Sequence, residues 1–203
     1  MKAYVKAFVS ISDKEVRLNG DNLPIQVEEG KPWLTNIYYS LGFQYPKFFK
    51  MDNLCKAGFL GAELLMGKLG LTPEEPKRNW SVALMSRSGS LDDDKTYQQT
   101  IQSADNYFPS PAVFVYTLSN IVTGEIAIRH KIMGESTCYV TKSFEPKTAI
   151  ALSECAFLPE KEVDHQIFGW CDYLDGQLSV KMFALSLDGE GALREWETSI
   201  FTI

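Results

Sequence analysis

The chain has 203 residues, 45% apolar and 12% aromatic, with glycine and proline at ordinary frequency, enough to bury one large core in a single domain over 1–203. Lys plus Arg total 20 against 26 acidic residues, a formal net charge of -6. No basic run interleaves with aromatics, which argues against a nucleic-acid or anionic-membrane surface and favours small molecules or proteins as partners.

The opening stretch, "MKAYVKAFVSISDKE", alternates like a strand over 3–11, and Lys6 interrupts the apolar run a signal peptide needs, so a cytoplasmic chain with reduced thiols is expected. Residues 20–46, rich in Asn, Gly and Pro, read as irregular with one short strand near Ile25. From 47 to 70, Phe48, Met51, Cys55, Phe59, Ala62 and Met66 recur at three- and four-residue intervals, which predicts a helix stopped by Gly70. "TPEEPKRN" is a turn-rich connection to "WSVALMSRS", a buried strand. Ser90, with Asp92, Asp93 and Asp94 after it, marks a helix start, since carboxylates favour the positive end of the helix dipole. Without a phosphate-binding loop nearby, these aspartates do not read as a magnesium site.

"SPAVFVYTLSNIVTGEIAIRHK" predicts one long helix over 111–131, capped by Ser110, with Pro111 at its first position. It is apolar almost all round, hence buried, while Asn120, Glu125 and Arg129 interrupt it too often for a membrane span. Arg129, His130 and Lys131 close it as cations suited to a helix C-terminus, and His130 reads as such a cation or as a solvated helix end rather than as a catalytic group. A strand over 136–141, a turn at Ser143, a helix over 145–157 and a strand over 166–173 follow. Asp175-Gly176 signals a tight hairpin into "QLSVKMFALSL", and "ETSIFTI" reads as a terminal strand. Cys55, Cys138, Cys155 and Cys171 lie in separate segments with no C-x-x-C pair, and only His130 and His165 could complete a set of ligands; no metal or cofactor is expected.

Taken in order, several stretches resemble the β-ketoacyl synthases. "AYVKAFVSIS" is similar to their opening strand and "FKMDNLCKAGFLGAELLMGKLG" to their Arg-Met-Asp helix, with Lys50-Met51-Asp52 at that motif. "PSPAVFVYTLSNIVTGEIAIRHKIMGES" resembles the helix and strand before their nucleophile, and "VDHQIFGWCDYLDG" the strand after the nucleophile helix. The resemblance covers most of 1–187 and implies an α/β fold, half of a thiolase-like fold, with helices packed on both faces of a mixed sheet.

Counting from Gly134 places Ser143 where that family carries its cysteine, and Cys138 lies five residues earlier inside the strand, where a thiol reads as a small core residue. Thr141, Lys142, Phe144 and Glu145 flank Ser143 in place of the small residues a strained nucleophile turn favours. The family's catalytic histidines belong to its second half, for which about 20 residues after the hairpin are too few. Ser143 is therefore expected to be a turn or cap residue, and the chain a pseudoenzyme: a non-catalytic, chain-length-factor-like subunit of a fatty-acid- or polyketide-type assembly. The expected partner is a second copy or a full-length ketosynthase, with an acyl carrier protein as a further one. A small acyltransferase or thioester hydrolase using Ser143, and a carrier-protein docking module, are the alternatives.

Overall fold

Alternation of apolar and polar residues builds β1 (Tyr4–Ser12), whose Val5, Ala7, Val9 and Ile11 are buried while the residues between them stay half exposed. The computed structural model describes residues 2–105 and 107–202. After β1 come β2 (Val16–Leu18), β3 (Asp21–Asn22), α1 (Trp33–Ser40), α2 (Asn53–Lys68), β4 (Trp80–Ser86), α3 (Leu91–Ile101), α4 (Pro111–Phe114) and α5 (Ile121–His130). Then follow β5 (Ser136–Val140), α6 (Pro146–Glu154), β6 (His165–Leu174), β7 (Gln177–Ser186) and the short β8 (Arg194–Glu195).

Among the described residues the strands form one mixed sheet in the order β3-β2-β1-β7-β6-β4-β5, with β8 beside the start of β1. β4 runs parallel to both its neighbours, β5 and β6. β6 and β7 form a hairpin whose turn, Asp175-Gly176, has both φ angles positive, at 50° and 82°. That is the geometry a two-residue hairpin needs to match the twist of its strands.

Each face of the sheet has its own core. On the first, α1, α2 and α5 cover Val9, Ile11, Val82, Leu84, Ile167 and Met182. α2 buries eleven of its sixteen residues and is set close to its neighbours by glycine. A Cβ at Gly58 would stand 2.4 Å from Val122 of α5, and one at Gly61 would stand 2.7 Å from the Met182 sulfur of β7. On the second face, Ala149, Ala156, Phe157, Trp196 and Ile200 pack on Ala83, Met85, Phe168, Phe183 and Leu185. A register slip between Val5 and Ala7 turns β1, so Val5 joins the second core and Ala7 the first.

Five expectations are corrected. The predicted strand near Ile25 does not form; the chain instead makes α1, where Leu34, Ile37 and Tyr38 are buried at helical spacing. The helix expected from 47 begins at Asn53, because the Asp52 side chain accepts from the Cys55 N–H as its cap and Pro46–Lys50 closes into a separate 3-10 turn. The long helix over 111–131 is two helical pieces at 97°, α4 continued by a 3-10 turn through Thr117, and α5. Side-chain hydrogen bonds compete with it: two are local, from the Thr117 hydroxyl to Phe114 O and from the Thr123 hydroxyl to Asn120 O, and one is long-range, from the Ser90 hydroxyl to Thr117 O. The Ser110 cap and Pro111 hold as read. The segment expected as a final strand is a 3-10 turn, Thr198–Thr202, and its last residue lies outside the described residues. The fifth concerns His130, which is buried and electrically neutral rather than a cation (below). Among the described residues no single helix is long and apolar enough to cross a membrane.

Candidate functional site

The connection leaving β4 passes over the face covered by α2, through α5, whereas the connection leaving β5 passes over the other face, through α6. Two adjacent parallel strands whose chains depart to opposite sides leave a crevice at their C-terminal ends, the usual place for a site in such sheets. Two loops form it here, 87–90 and 141–145.

Asp172, buried near the end of β6, shapes the first loop. Its Oδ1 accepts from the Ser86 hydroxyl at 2.7 Å and from the Arg87 and Ser88 backbone N–H groups at 2.9 and 2.8 Å. Its Oδ2 accepts from the Ser88 hydroxyl at 3.1 Å, and the Arg87 Nε lies 4.0 Å away. Gly89 takes the positive φ of 55° that the turn into α3 requires.

The second loop is tied down by Thr141, whose N–H donates to Ser86 O at 2.9 Å and whose hydroxyl donates to Ser143 O. Phe144 turns into the second core, its ring 5.9 Å from Trp170 and 6.5 Å from Phe183. Ser143 is half-buried, and its hydroxyl donates to Glu145 Oε1 at 3.0 Å. Glu145, not Ser143, holds the N-cap position of α6, and its side chain caps nothing. Between the loops opens a cleft of about 430 Å³ lined by Arg87, Lys142, Ser143, Glu145, Trp170 and Lys181.

The chain's two histidines stand at the other end of the sheet. The β4–β6 register pairs Trp80 with His165 and Met85 with Trp170, so His165 lies five strand residues, about 16 Å, from the cleft wall at Trp170. It stacks on Trp80 at 4.9 Å, and burial lowers its pKa. His130 ends α5, and Ile132 just beyond it bridges to Lys77, before β4 begins. Burial first, then the Arg129 and Lys77 charges, push its pKa down to about 3, so it is neutral beside Glu63, 3.2 Å away. Neither ring reaches Ser143.

Among the thiols, Cys138 sits in β5 opposite Leu84 with its pKa raised by burial, Cys55 and Cys171 are buried with theirs raised further, and Cys155 is exposed at the end of α6. Among the described residues no three His, Cys, Asp or Glu side chains come together as metal ligands, the aspartates of α3 included. Sequence reasoning singled out Ser143 but missed Asp172, Arg87 and Lys181. Asp172 had a signal, a lone acid inside the apolar run "FGWCDYL". Arg87 and Lys181 had none, since only the topology brings their elements together.

β5 is an edge of the sheet. Val140 at its end is 64% exposed, and Phe114, Val115 and Leu118 on the broken helix are about half exposed. A Cβ at Gly89 would meet both Ser119 and Val140, so the broken helix abuts the end of this edge strand.

No family model and no curated protein matches the sequence. Solved structures do match. A structure described as the ishigamide ketosynthase/chain length factor superposes with a TM-score of 0.67 over 96% of this chain and 64% of that one, at 11% identity. The fold is of the thiolase-like, ketosynthase type. A β-ketoacyl synthase from Burkholderia phymatum matches this ketosynthase-type fold at 0.65, covering 96% of this chain and 62% of that one with 10% identity. A complex of a ketosynthase with its chain length factor from Xenorhabdus doucetiae matches at 0.59, covering 93% of this chain and 80% of that one with 13% identity. The chain thus spans less than two thirds of the first of these, and identities this low speak for the fold alone.

Proposed function

We propose that the protein is a non-catalytic accessory subunit of a fatty-acid- or polyketide-type synthase assembly, similar in role to a chain length factor, and that its 203 residues act as one ketosynthase N-terminal-like domain. The observation that carries this reading is the turn at Ser143. The resemblance puts the family's cysteine at that position, and here the hydroxyl is occupied with Glu145 while both histidines lie at the far end of the sheet. A serine whose only neighbouring base is an exposed carboxylate, here Glu145 with no histidine in reach, is a poor nucleophile. The transferase and hydrolase alternatives would need a histidine from another chain. That structures of ketosynthase–chain length factor complexes share the fold supports the accessory reading.

The β5 edge and the apolar residues beside it are the proposed contact, with a second copy or with a full-length ketosynthase. An unpaired strand edge continuous with exposed apolar side chains is a template for strand addition. Thr141 N and Glu135 O bond inward to β4, so by the period of two the N–H groups of Ser136, Cys138 and Val140 point outward. Light scattering at micromolar concentration, with and without a purified ketosynthase, tests this. The wild type should self-associate or bind the synthase, and Val140→Arg and Cys138→Pro should abolish association while circular dichroism stays unchanged. A wild type that stays monomeric and ignores the synthase would overturn the proposal.

A further inference from the structure

On the second face, the end of α6 and the turn after it leave a cavity over β4 and β5 that no part of the Ser143 turn enters. Ser81, Glu135, Tyr139, Cys155, Lys161 and Gln166 stand on its walls, and it measures about 40 Å³. One water needs about 10–15 Å³ by the same measure, so there is room for about three, the size of an acetamide unit. Ser81 and Gln166 are register partners on β4 and β6, and each is only 1% exposed. Neither the Ser81 hydroxyl oxygen nor Gln166 Oε1 has a hydrogen-bond partner among the described residues. Buried polar atoms without partners are costly, so this floor calls for a polar occupant.

The mouth is different, because its charged groups already satisfy one another. The exposed Glu135 carboxylate accepts from the Thr137 hydroxyl and from Lys161 Nζ. Cys155 is the exposed thiol, its Sγ donating to Ala151 O at 3.3 Å. Burial first, and then the Cys155 charge, raise the Tyr139 pKa, so the sulfur stands within electrostatic reach of that wall. An accessible thiol thus borders a cavity whose buried end holds two unpaired oxygens.

We propose that Cys155 is a modification site, forming a mixed disulfide with a small thiol whose chain carries a secondary amide, the amide seated between Ser81 and Gln166. Gln166 Oε1 accepts, and the Ser81 hydroxyl donates or accepts, so the complement is a group with one N–H and one C=O side by side. A secondary amide offers both and carries no charge to desolvate. In the step, the Cys155 thiolate attacks one sulfur of a symmetrical small-molecule disulfide. The new S–S bond forms as the old one breaks, and the leaving thiolate takes up the proton that Cys155 released to water. The small disulfide is the oxidant and ends half as free thiol, half on the protein. The inference stands apart from the accessory-subunit reading, because it involves no acyl transfer and no partner chain.

Equilibrating the full chain with N,N′-diacetylcystamine and its free thiol, and separately with bis(2-acetoxyethyl) disulfide and its free thiol, tests it. The two probes differ only in amide against ester, and intact-mass and peptide-mapping spectra give the exchange constant and the cysteine used. Cys155 alone should carry the adduct, with an exchange constant about tenfold more favourable for the amide than for the ester, a preference absent from the urea-unfolded chain. Ser81→Ala combined with Gln166→Leu should remove the preference and leave the ester constant unchanged. Ser81→Ala alone, which deletes only an unpaired hydroxyl, should narrow it to about threefold, and it stands as the test if the double variant does not fold. Equal constants for amide and ester, a preference that survives these substitutions, or an adduct on another cysteine would overturn the proposal and leave the cavity to ordered water.

Discussion

Replacing Asp172 tests how the candidate site is held together. Its carboxylate links β6 to the loop after β4 through four hydrogen bonds, two of them from the Arg87 and Ser88 backbone. Asp172→Ala removes every acceptor at once. A hydrogen bond to a charged group is worth about 1.5–3 kcal/mol, and a donor left unpaired away from water costs about 1–3 kcal/mol. The two backbone donors here are only part-buried, so water recovers some of that, and these bonds share one carboxylate and do not add. A loss of about 3–5 kcal/mol is expected. Asp172→Asn keeps one oxygen for the two backbone N–H groups, and the Ser88 hydroxyl can turn to accept from the new amide, so about 1–2 kcal/mol should be lost. Urea unfolding followed by far-UV circular dichroism at neutral pH gives both values. If Asp172→Ala costs under about 1 kcal/mol, or Asp172→Asn costs as much as the alanine, the carboxylate is not what orders the loop.

Three further expectations address packing, thiols and pH. A Cβ at Gly169 would stand 2.2 Å from Lys181 O across the β6–β7 ladder, whereas one at Gly124 meets nothing within 4 Å, so Gly169→Ala should lose more than about 3 kcal/mol or fail to fold and Gly124→Ala should gain about 0.5–1 kcal/mol, as urea midpoints would show. Of the four thiols only Cys155 is exposed, so one cysteine should react rapidly with a disulfide reagent in the native protein and four after denaturation; rapid native labelling of Cys138 by peptide mapping would contradict this. Burial, and then the neighbouring Asp52 carboxylate, raise the Asp93 pKa to about 8. Between about pH 4 and pH 8 the folded state keeps a proton that the unfolded state has released, so stability should fall as pH rises through that window, and Asp93→Asn should remove the fall. Parallel urea midpoints for wild type and variant across the window would refute it.

The strands were legible because their signals are local. β1, β4, β5, β6 and β7 carry period-two or all-apolar runs, and Asp175-Gly176 has the turn chemistry its backbone uses. The helices were read less well where long-range bonds decide. The break between α4 and α5 rests on the Ser90 hydroxyl taking Thr117 O from 27 residues away, which no periodicity records. α1 was hidden by the Asn, Gly and Pro around it, although Leu34, Ile37 and Tyr38 repeat at helical spacing. At the site, the Ser143 turn and its helix were visible as a strand followed by proline. The distance from Ser143 to the histidines and the meeting of Arg87, Lys142 and Lys181 depend on strand order, which places β7 and β6 inside the sheet and β5 at its edge. His130 read as a cation because helix C-termini favour one; its burial against Arg129 and Lys77 reverses that.

The central claim is that the Ser143 turn performs no acyl chemistry. Incubating the purified protein with acyl- and malonyl-loaded carrier protein, followed by mass spectrometry of the carrier-bound products and of the protein itself, tests it directly. The account predicts unchanged thioesters, no condensed product and no acyl adduct on Ser143 or Cys138. A condensed or transferred acyl group that disappears in Ser143→Ala or Cys138→Ala would contradict it.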